Sequence, residues 1–247
     1  LLVFPELSLS GYTCGDLFLQ DALLEGCLSA LGTVAQATAG RKMLVFVGLP
    51  LAVGGKLYNC AAGVADGKVL GFVPKKHIPN YAEFYEARYF AACPGERACV
   101  SFGGDAVPVA GDLLFCDGEA AVACEICEDL WTAGSPSEAL CRAGATVVVN
   151  LSASDETVGK REYRKTLVSA QSGKNVCAYV YCDAGTGEST ADMVFAGNNM
   201  IYENGVCLAE SAPFGAGVCE ADLDIGFLQS ERRRMNTFRA AADARQG

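Results

Sequence analysis

Histidine is almost missing from this chain: its 247 residues hold one, His77. Any Ser-His or Cys-His mechanism would have to be built on that position, which leaves carboxylates and lysines as the main candidates for proton transfer. An excess of positive charge is also missing. Lys and Arg number 19 against 29 Asp and Glu, a formal net charge of −10, which argues against a nucleic-acid surface or an anionic membrane as partner. No apolar run approaches a membrane span and no signal-peptide pattern is seen. Pro/Ser-rich tracts and low-complexity segments are absent too, so no linker is expected and residues 1–247 read as one layered domain.

Two features are plentiful. Hydrophobic residues make up 51% of the chain, enough for a large core. Cysteines number 13, an odd count with no regular spacing, which predicts reduced thiols in a cytoplasm. Cys124-x-x-Cys127 has no second CxxC to complete a zinc site and only His77 to assist it, so no metal is expected. The basic run at 231–234 lies in a predicted C-terminal helix, as a solvated or interfacial face.

Apolar runs and turn signals alternate along the chain. Asp16 is placed to cap a helix running to Gly40. Strands are expected at 43–50, 57–66 and 68–73, followed by a polar loop region from 74 to about 95. A hairpin turns through Asp117-Gly118 between 113–116 and 120–126. Further strands are expected at 145–152, 175–182, 193–202 and 206–211, with 217–224 leading into the last helix. Helices are predicted from 135 and over 160–174. Near-continuous apolar strands such as ATVVV imply sheets covered by helices on one face and by more sheet on the other. The apolar opening LLVFP, with no initiator Met or preceding turn, predicts that the chain is a fragment.

Three residues stand at the C-terminal ends of apolar strands, where ligand sites of α/β folds gather: Glu6 in VFPELSLSGY, Lys75 in GFVPKKHIPNY and Cys127 in AVACEICEDLW. Singly, each has an ordinary explanation as a surface carboxylate, a solvated lysine and a small hydrophobe. Together each supplies what another lacks. Glu128 and Asp129 beside Cys127 would raise its pKa from a reference of about 8.5. Glu6 could take the thiol proton, and a lysine opposite the thiol could offset the charge. Lowering the thiol pKa by about 1.5 takes about 2 kcal/mol, within reach of one partly buried ammonium. That ammonium and the Glu128 backbone N–H would also face the oxyanion of a tetrahedral intermediate.

In that order, FPELSLSGY, PKKHIP and EICED resemble the Glu, Lys and Cys motifs of the nitrilase superfamily of carbon–nitrogen hydrolases. The resemblance implies a single α/β domain with an αββα sandwich, and a cysteine acyl-enzyme. It implies Glu6 as general base, Lys75 as oxyanion stabiliser, Cys127 as nucleophile and Glu86 as the group that orients Lys75. A closer resemblance covers nearly the whole chain. GYTCGDLFLQ, PNYAEFYEARYF, EICEDLW, NLSAS, GESTADMVFAGNNMIYENG and LAES are similar to the glutaminase domain of glutamine-dependent NAD+ synthetases. That family releases ammonia from glutamine and passes it to a C-terminal, ATP-using synthetase domain, of which this sequence shows no motif.

The closer resemblance implies glutamine binding by Tyr81, Phe84, Glu128, Ser154 and Lys160. Glu128 would suit the substrate ammonium, Ser154 and Lys160 its carboxylate. Asp155 stands where the family has Asn and Lys160 where it has Arg, which implies altered glutamine affinity rather than altered chemistry. No cofactor is implied for this domain; ATP and Mg belong to the synthetase domain. Partners implied are glutamine and that domain, and apolar segments near the final helix suggest a homo-oligomer. A free-standing amidase acting on another small amide is the alternative, and a non-catalytic oligomerisation module a third. Cys127 is expected to be the one reactive thiol, with Cys60, Cys177 and Cys219 buried in strands.

Overall fold

The computed structural model describes residues 1–190, 192–215 and 218–238. Ala191 in the GESTAD segment and residues 239–247 of the 1–247 domain assignment lie outside them. Strands β1 (Leu2–Val3), β2 (Val45–Val53), β3 (Lys56–Ala65), β4 (Lys68–Pro74), β5 (Ala98–Phe102) and β6 (Asp105–Val109) form one mixed sheet in the order β1-β2-β3-β4-β6-β5. The second sheet holds β7 (Leu114–Asp117), β8 (Ala120–Ile126), β9 (Val147–Ser152), β10 (Ala178–Asp183), β11 (Met200–Glu203) and β12 (Val206–Glu210), ordered β12-β11-β10-β9-β8-β7. Within it β8, β9 and β10 run parallel, and both edges are hairpins.

The layers follow from side chains alternating across each strand. On β2, Val45, Val47, Leu49 and Leu51 pack with Cys27, Leu31 and Ala35 of helix α1 (Asp21–Thr38). Phe46 turns the other way, joining Ala61, Val73 and the β8 residues Val122, Cys124 and Ile126 between the sheets. There Phe46 meets Phe115 edge to face at 5.0 Å. The outer face of the second sheet presents Ala123, Val148, Tyr179 and Tyr181 to Leu140 and Cys141 of α2 (Pro136–Arg142) and Val168 of α3 (Lys160–Lys174). Helix, sheet, sheet, helix is the αββα sandwich that the resemblance implied.

Local structure departs from the sequence expectation in four places. The first helix is split: a 3₁₀ turn at Gly15–Leu19 precedes α1, and Asp16 caps nothing but pairs with Arg88. The hairpin of β5 and β6 was not expected; it turns at Gly103-Gly104, both at positive φ, a conformation glycine adopts without strain. The run 193–202 is a strand only from Met200, and the described part of 217–224 forms none. The basic run lies on α4 (Ile225–Arg234), where Arg233 and Arg234 are exposed. Arg232 instead turns inward and donates to the carbonyls of Val176, Ala145 and Asn175.

Candidate active site

Glu6 stands three residues beyond β1, after Phe4 and Pro5, and none of its side chain is exposed. Its backbone crosses β2 closely at Gly48: a Cβ there would lie 2.2 Å from the Leu7 nitrogen. Leu7 sits at φ 50°, a left-handed conformation costing about 1–3 kcal/mol for a residue with a side chain. Every Glu6 oxygen is engaged. Oε1 accepts from Lys75 Nζ at 2.7 Å and Asn59 Nδ2 at 2.6 Å, and Oε2 accepts the Ala153 N–H at 3.0 Å.

Lys75 leaves β4 immediately after Pro74 and is also fully buried. Its ammonium bridges two carboxylates, Glu6 and Glu86 Oε1 at 2.6 Å. Glu86 opens a short 3₁₀ turn in the loop after β4 and accepts the Tyr12 hydroxyl at 2.7 Å and, weakly, Asn59 at 3.4 Å. The structure thus joins Glu6, Lys75 and Glu86 in one buried cluster. Tyr12 and Asn59, which complete it, were not picked out from the sequence. Tyr12 lies in the GYTC segment, but nothing local shows that its hydroxyl reaches a carboxylate 74 positions away.

Cys127, at φ 42°, follows β8 directly and begins a 3₁₀ turn, Cys127–Leu130. A strained residue at a strand-to-helix turn presents its side chain at a sheet end, as nucleophile turns do. The two acids after it separate. Glu128 lines the cavity above the thiol, whereas buried Asp129 accepts from the N–H groups of Ile126 at 3.0 Å and His77 at 2.9 Å. Asp129 Oδ1 also lies 2.8 Å from His77 Nδ1. The only histidine therefore ties the Lys75 loop to the Cys127 turn. Cys124, the other half of the CxxC, packs in the core between the sheets.

Charge in this cluster differs in one respect from the sequence expectation. Burial pushes the Cys127 thiol well above its ordinary value, Glu6 raises it further, and Lys75 only partly opposes them. Lys75 lowers it as expected, but burial and Glu6 outweigh that pull, so the thiol ends above its ordinary value rather than below it. Burial works against the charge on Lys75, but Glu6 and Glu86 outweigh it and hold the ammonium protonated. Burial also pushes the Glu6 carboxyl up to about 7, with Lys75 limiting the rise. The resting site is thus a neutral thiol beside a carboxyl poised near neutral pH.

Tyr81, Phe84, Cys127, Glu128, Ser154 and Lys160 line one cavity of about 260 Å³, with Glu83 and Trp131. Tyr81 donates to both Glu128 oxygens at 3.0 Å; burial and that carboxylate push its hydroxyl up to about 12. Lys160 Nζ stands 5.3 Å from the Phe84 ring centre and 5.5 Å from that of Trp131, and pairs with Asp155. The Ser154 N–H donates to buried Asp183 at 2.8 Å, and its hydroxyl accepts from Arg164 at 3.3 Å. Trp131 and the Asp155 contact were missed, although Trp131 follows the cysteine motif by one 3₁₀ turn.

The thiols are less uniform than expected. Cys60 and Cys177 are buried, though Cys177 precedes β10 rather than lying in it; Cys219 is half-buried outside any strand, and Cys99, Cys116 and Cys207 are exposed. Among the described residues no helix is long and apolar enough to cross a membrane, and no group of three or more His, Cys, Asp or Glu is arranged to hold a metal ion.

Comparison with known proteins agrees with this architecture. The chain is 44% identical over 243 residues to the glutamine-dependent NAD(+) synthetase of Mycobacterium tuberculosis, covering 96% of this chain and 36% of that protein. With the enzyme of the same name from Aquifex aeolicus it shares 30% identity, covering 97% of this chain and 39% of the other. It thus spans little more than a third of the length of these relatives. The crystal structure of a glutamine-dependent NAD(+) synthetase from Cytophaga hutchinsonii superposes with a TM-score of 0.79 at 30% identity, covering 89% of this chain and 36% of that one. An amidase of the nitrilase superfamily from Nesterenkonia AN1 superposes at 0.70 over 96% of this chain and 82% of its own, and at 20% identity shares the fold alone. The carbon-nitrogen hydrolase model matches residues 1–233, and with a buried Glu-Lys-Glu cluster beside a cysteine turn in an αββα sandwich, the chain belongs to the carbon-nitrogen hydrolase family.

Proposed function

We propose that this chain is the ammonia-releasing part of a glutamine-dependent NAD+ synthetase, hydrolysing glutamine through a thioester on Cys127. One observation carries the reading: a buried ammonium between two carboxylates lies beside a strained cysteine whose cavity carries an anion, Glu128, and a cation, Lys160. A free amino acid offers complementary charges. Glu128 with Tyr81 takes the substrate ammonium, Ser154 and Lys160 take its carboxylate, and the Phe84 ring flanks the stem.

Chemistry then follows from the charge states. Sγ attacks the carboxamide carbon as Glu6 takes the thiol proton, so the high thiol pKa is met at the moment of attack rather than by a standing thiolate. Lys75 and the Glu128 N–H stabilise the oxyanion, and Glu86 holds Lys75 in place. Collapse breaks the C–N bond, Glu6 returns its proton to the departing nitrogen, and ammonia leaves. Water, deprotonated by Glu6, then cleaves the thioester to glutamate and restores the thiol. No cofactor takes part. ATP and Mg serve a synthetase domain in the full-length protein, supported by the length of the named relatives.

An ammonia-release assay with glutamine tests the hydrolase step. Activity lost in Cys127→Ala is the expected result; glutamine turnover that survives it excludes the thioester. Asp155 already matches the Lys160 charge, which favours a neutral amide as the second reading. Hydrolysis of a short amide, with none of glutamine, would establish that reading instead. In full-length protein, Cys127→Ala should lose synthesis from glutamine and keep synthesis from added ammonium.

A further inference from the structure

Behind the nucleophile turn runs a line of buried polar groups that no step above uses. The Cys127 N–H donates to Asn150 Oδ1 at 3.0 Å, and Ser152 Oγ donates to the same oxygen at 2.7 Å. Asn150 Nδ2 donates to the Tyr179 hydroxyl at 3.0 Å, and that hydroxyl donates in turn to Glu125 Oε1. Glu125 Oε2 accepts Ser135 Oγ at 2.6 Å and the Ser137 N–H at 2.9 Å, and Gln171 Nε2 closes the line on Ser137 Oγ at 2.8 Å. Asn150, Tyr179, Ser152 and Ser137 are fully buried and Glu125 nearly so.

The line has a direction. A tyrosine hydroxyl has one proton, and here it goes to Glu125, which as a carboxylate can only accept. The hydroxyl oxygen is therefore left to accept, which makes Asn150 present its NH2 to Tyr179 and its oxygen to Cys127. A flipped amide would set an NH2 against the Cys127 N–H and a carbonyl against the tyrosine oxygen. The first N–H groups of a helical turn have no partner within it, and at Cys127 that group belongs to the residue at φ 42°. Asn150 supplies the acceptor that rewards the left-handed conformation.

We infer that Asn150 is a positioning residue for Cys127, its amide held in one orientation by Tyr179 and Glu125. The inference rests on the reading of Cys127 as nucleophile. Without the acceptor the turn relaxes toward negative φ and carries Sγ away from Glu6 and the cavity; a displacement of about 1 Å costs on the order of 100-fold in rate.

The test uses two variants and two readouts. Asn150→Leu removes the acceptor at similar volume, while Tyr179→Phe keeps the acceptor and removes only the group that orients it. Iodoacetamide alkylation, in which Sγ displaces iodide and Glu6 takes the thiol proton, is followed at Cys127 relative to exposed Cys99 by peptide mass mapping. Ammonia release gives kcat and KM for glutamine. Relative alkylation and kcat should fall about 100-fold in Asn150→Leu and about 10-fold in Tyr179→Phe, the equivalent of one hydrogen bond. KM should stay within about twofold in both, because the cavity walls are untouched. If Asn150→Leu does not fold, Tyr179→Phe decides alone. A relative alkylation rate unchanged in the folded variants, or a raised KM at unchanged kcat, overturns the inference. A wild-type chain that releases no ammonia sinks the proposed function, while alkylation at Cys127 still decides the positioning role.

Discussion

Lys75 and Lys160 both face carboxylates within one site, but at different depths. Lys75 exposes nothing and is pinned between Glu6 and Glu86 at 2.7 and 2.6 Å. Lys160 keeps 18% of its side chain exposed, pairs with Asp155, and lies over the rings of Phe84 and Trp131. The first lysine cannot be removed without leaving two charges in a dry interior; the second can exchange its partner for solvent or a ligand. On the proposed function, depth separates the groups that would set the reaction from those that would choose the substrate, because desolvation penalises an unpaired charge most where no water can reach it.

The widest test of that separation is Lys75→Met. It should abolish ammonia release and also destabilise the fold by about 3–5 kcal/mol, the cost of breaking a buried ion pair. Thermal melting and the ammonia assay read the two effects, and a melt equal to wild type would show that the buried carboxylates tolerate isolation. Glu6→Gln should be milder for the fold and still severe for turnover. With the base removed, kcat should fall by about 10²–10⁴ while glutamine affinity, measured calorimetrically, holds. Turnover close to wild type would exclude Glu6 as base.

A pH series probes the buried side without mutation. Glu6 must be ionised to accept the proton and its carboxyl sits at about 7, so kcat/KM should fall as pH drops through about 7. Stability takes the opposite sign. The folded state keeps a proton that the unfolded chain releases near the ordinary value of 4.5, so this group's contribution declines as pH rises from there to about 7. An acid limb near 4.5 would contradict the burial argument. The smallest effect belongs to the rim: Lys160→Met should raise KM for glutamine about 10-fold at unchanged kcat, with a melt shifted by little. A rim lysine as costly to stability as Lys75 would break the comparison.

Much of the outer frame was legible because it depends on short-range pattern. Helix 160–174 and the hairpin through Asp117-Gly118 came directly from periodicity and turn residues. The β5–β6 hairpin did not, since its short strands ACVSF and DAVPV are interrupted by Ser101, Asp105 and Pro108, and the edge strand β5 buries none of its residues fully. Asp16 had the right residue type for a cap but found a better partner in Arg88. In the site, Glu6, Lys75, Glu86 and Cys127 were named from their motifs, and the structure gathers them. Tyr12, Asn59, Asn150 and Trp131 were not, because their importance lies in whom they touch.

Residue order alone determined the alternation that makes each sheet two-faced, the near absence of histidine that leaves carboxylates and lysines as the candidates for proton transfer, and the motifs that place Glu6, Lys75 and Cys127 just beyond strands. Those are properties of composition and spacing, which survive without knowing any long-range contact. Tertiary structure decided the charge states. Whether the pull of Lys75 on the thiol outweighs burial and Glu6 depends on distances between residues 6, 75, 86 and 127, and on the exclusion of water around them. Coulomb and desolvation energies are functions of that geometry, so the same four residues could have favoured a thiolate, but folded this way they favour a protonated thiol beside a carboxyl raised to about 7.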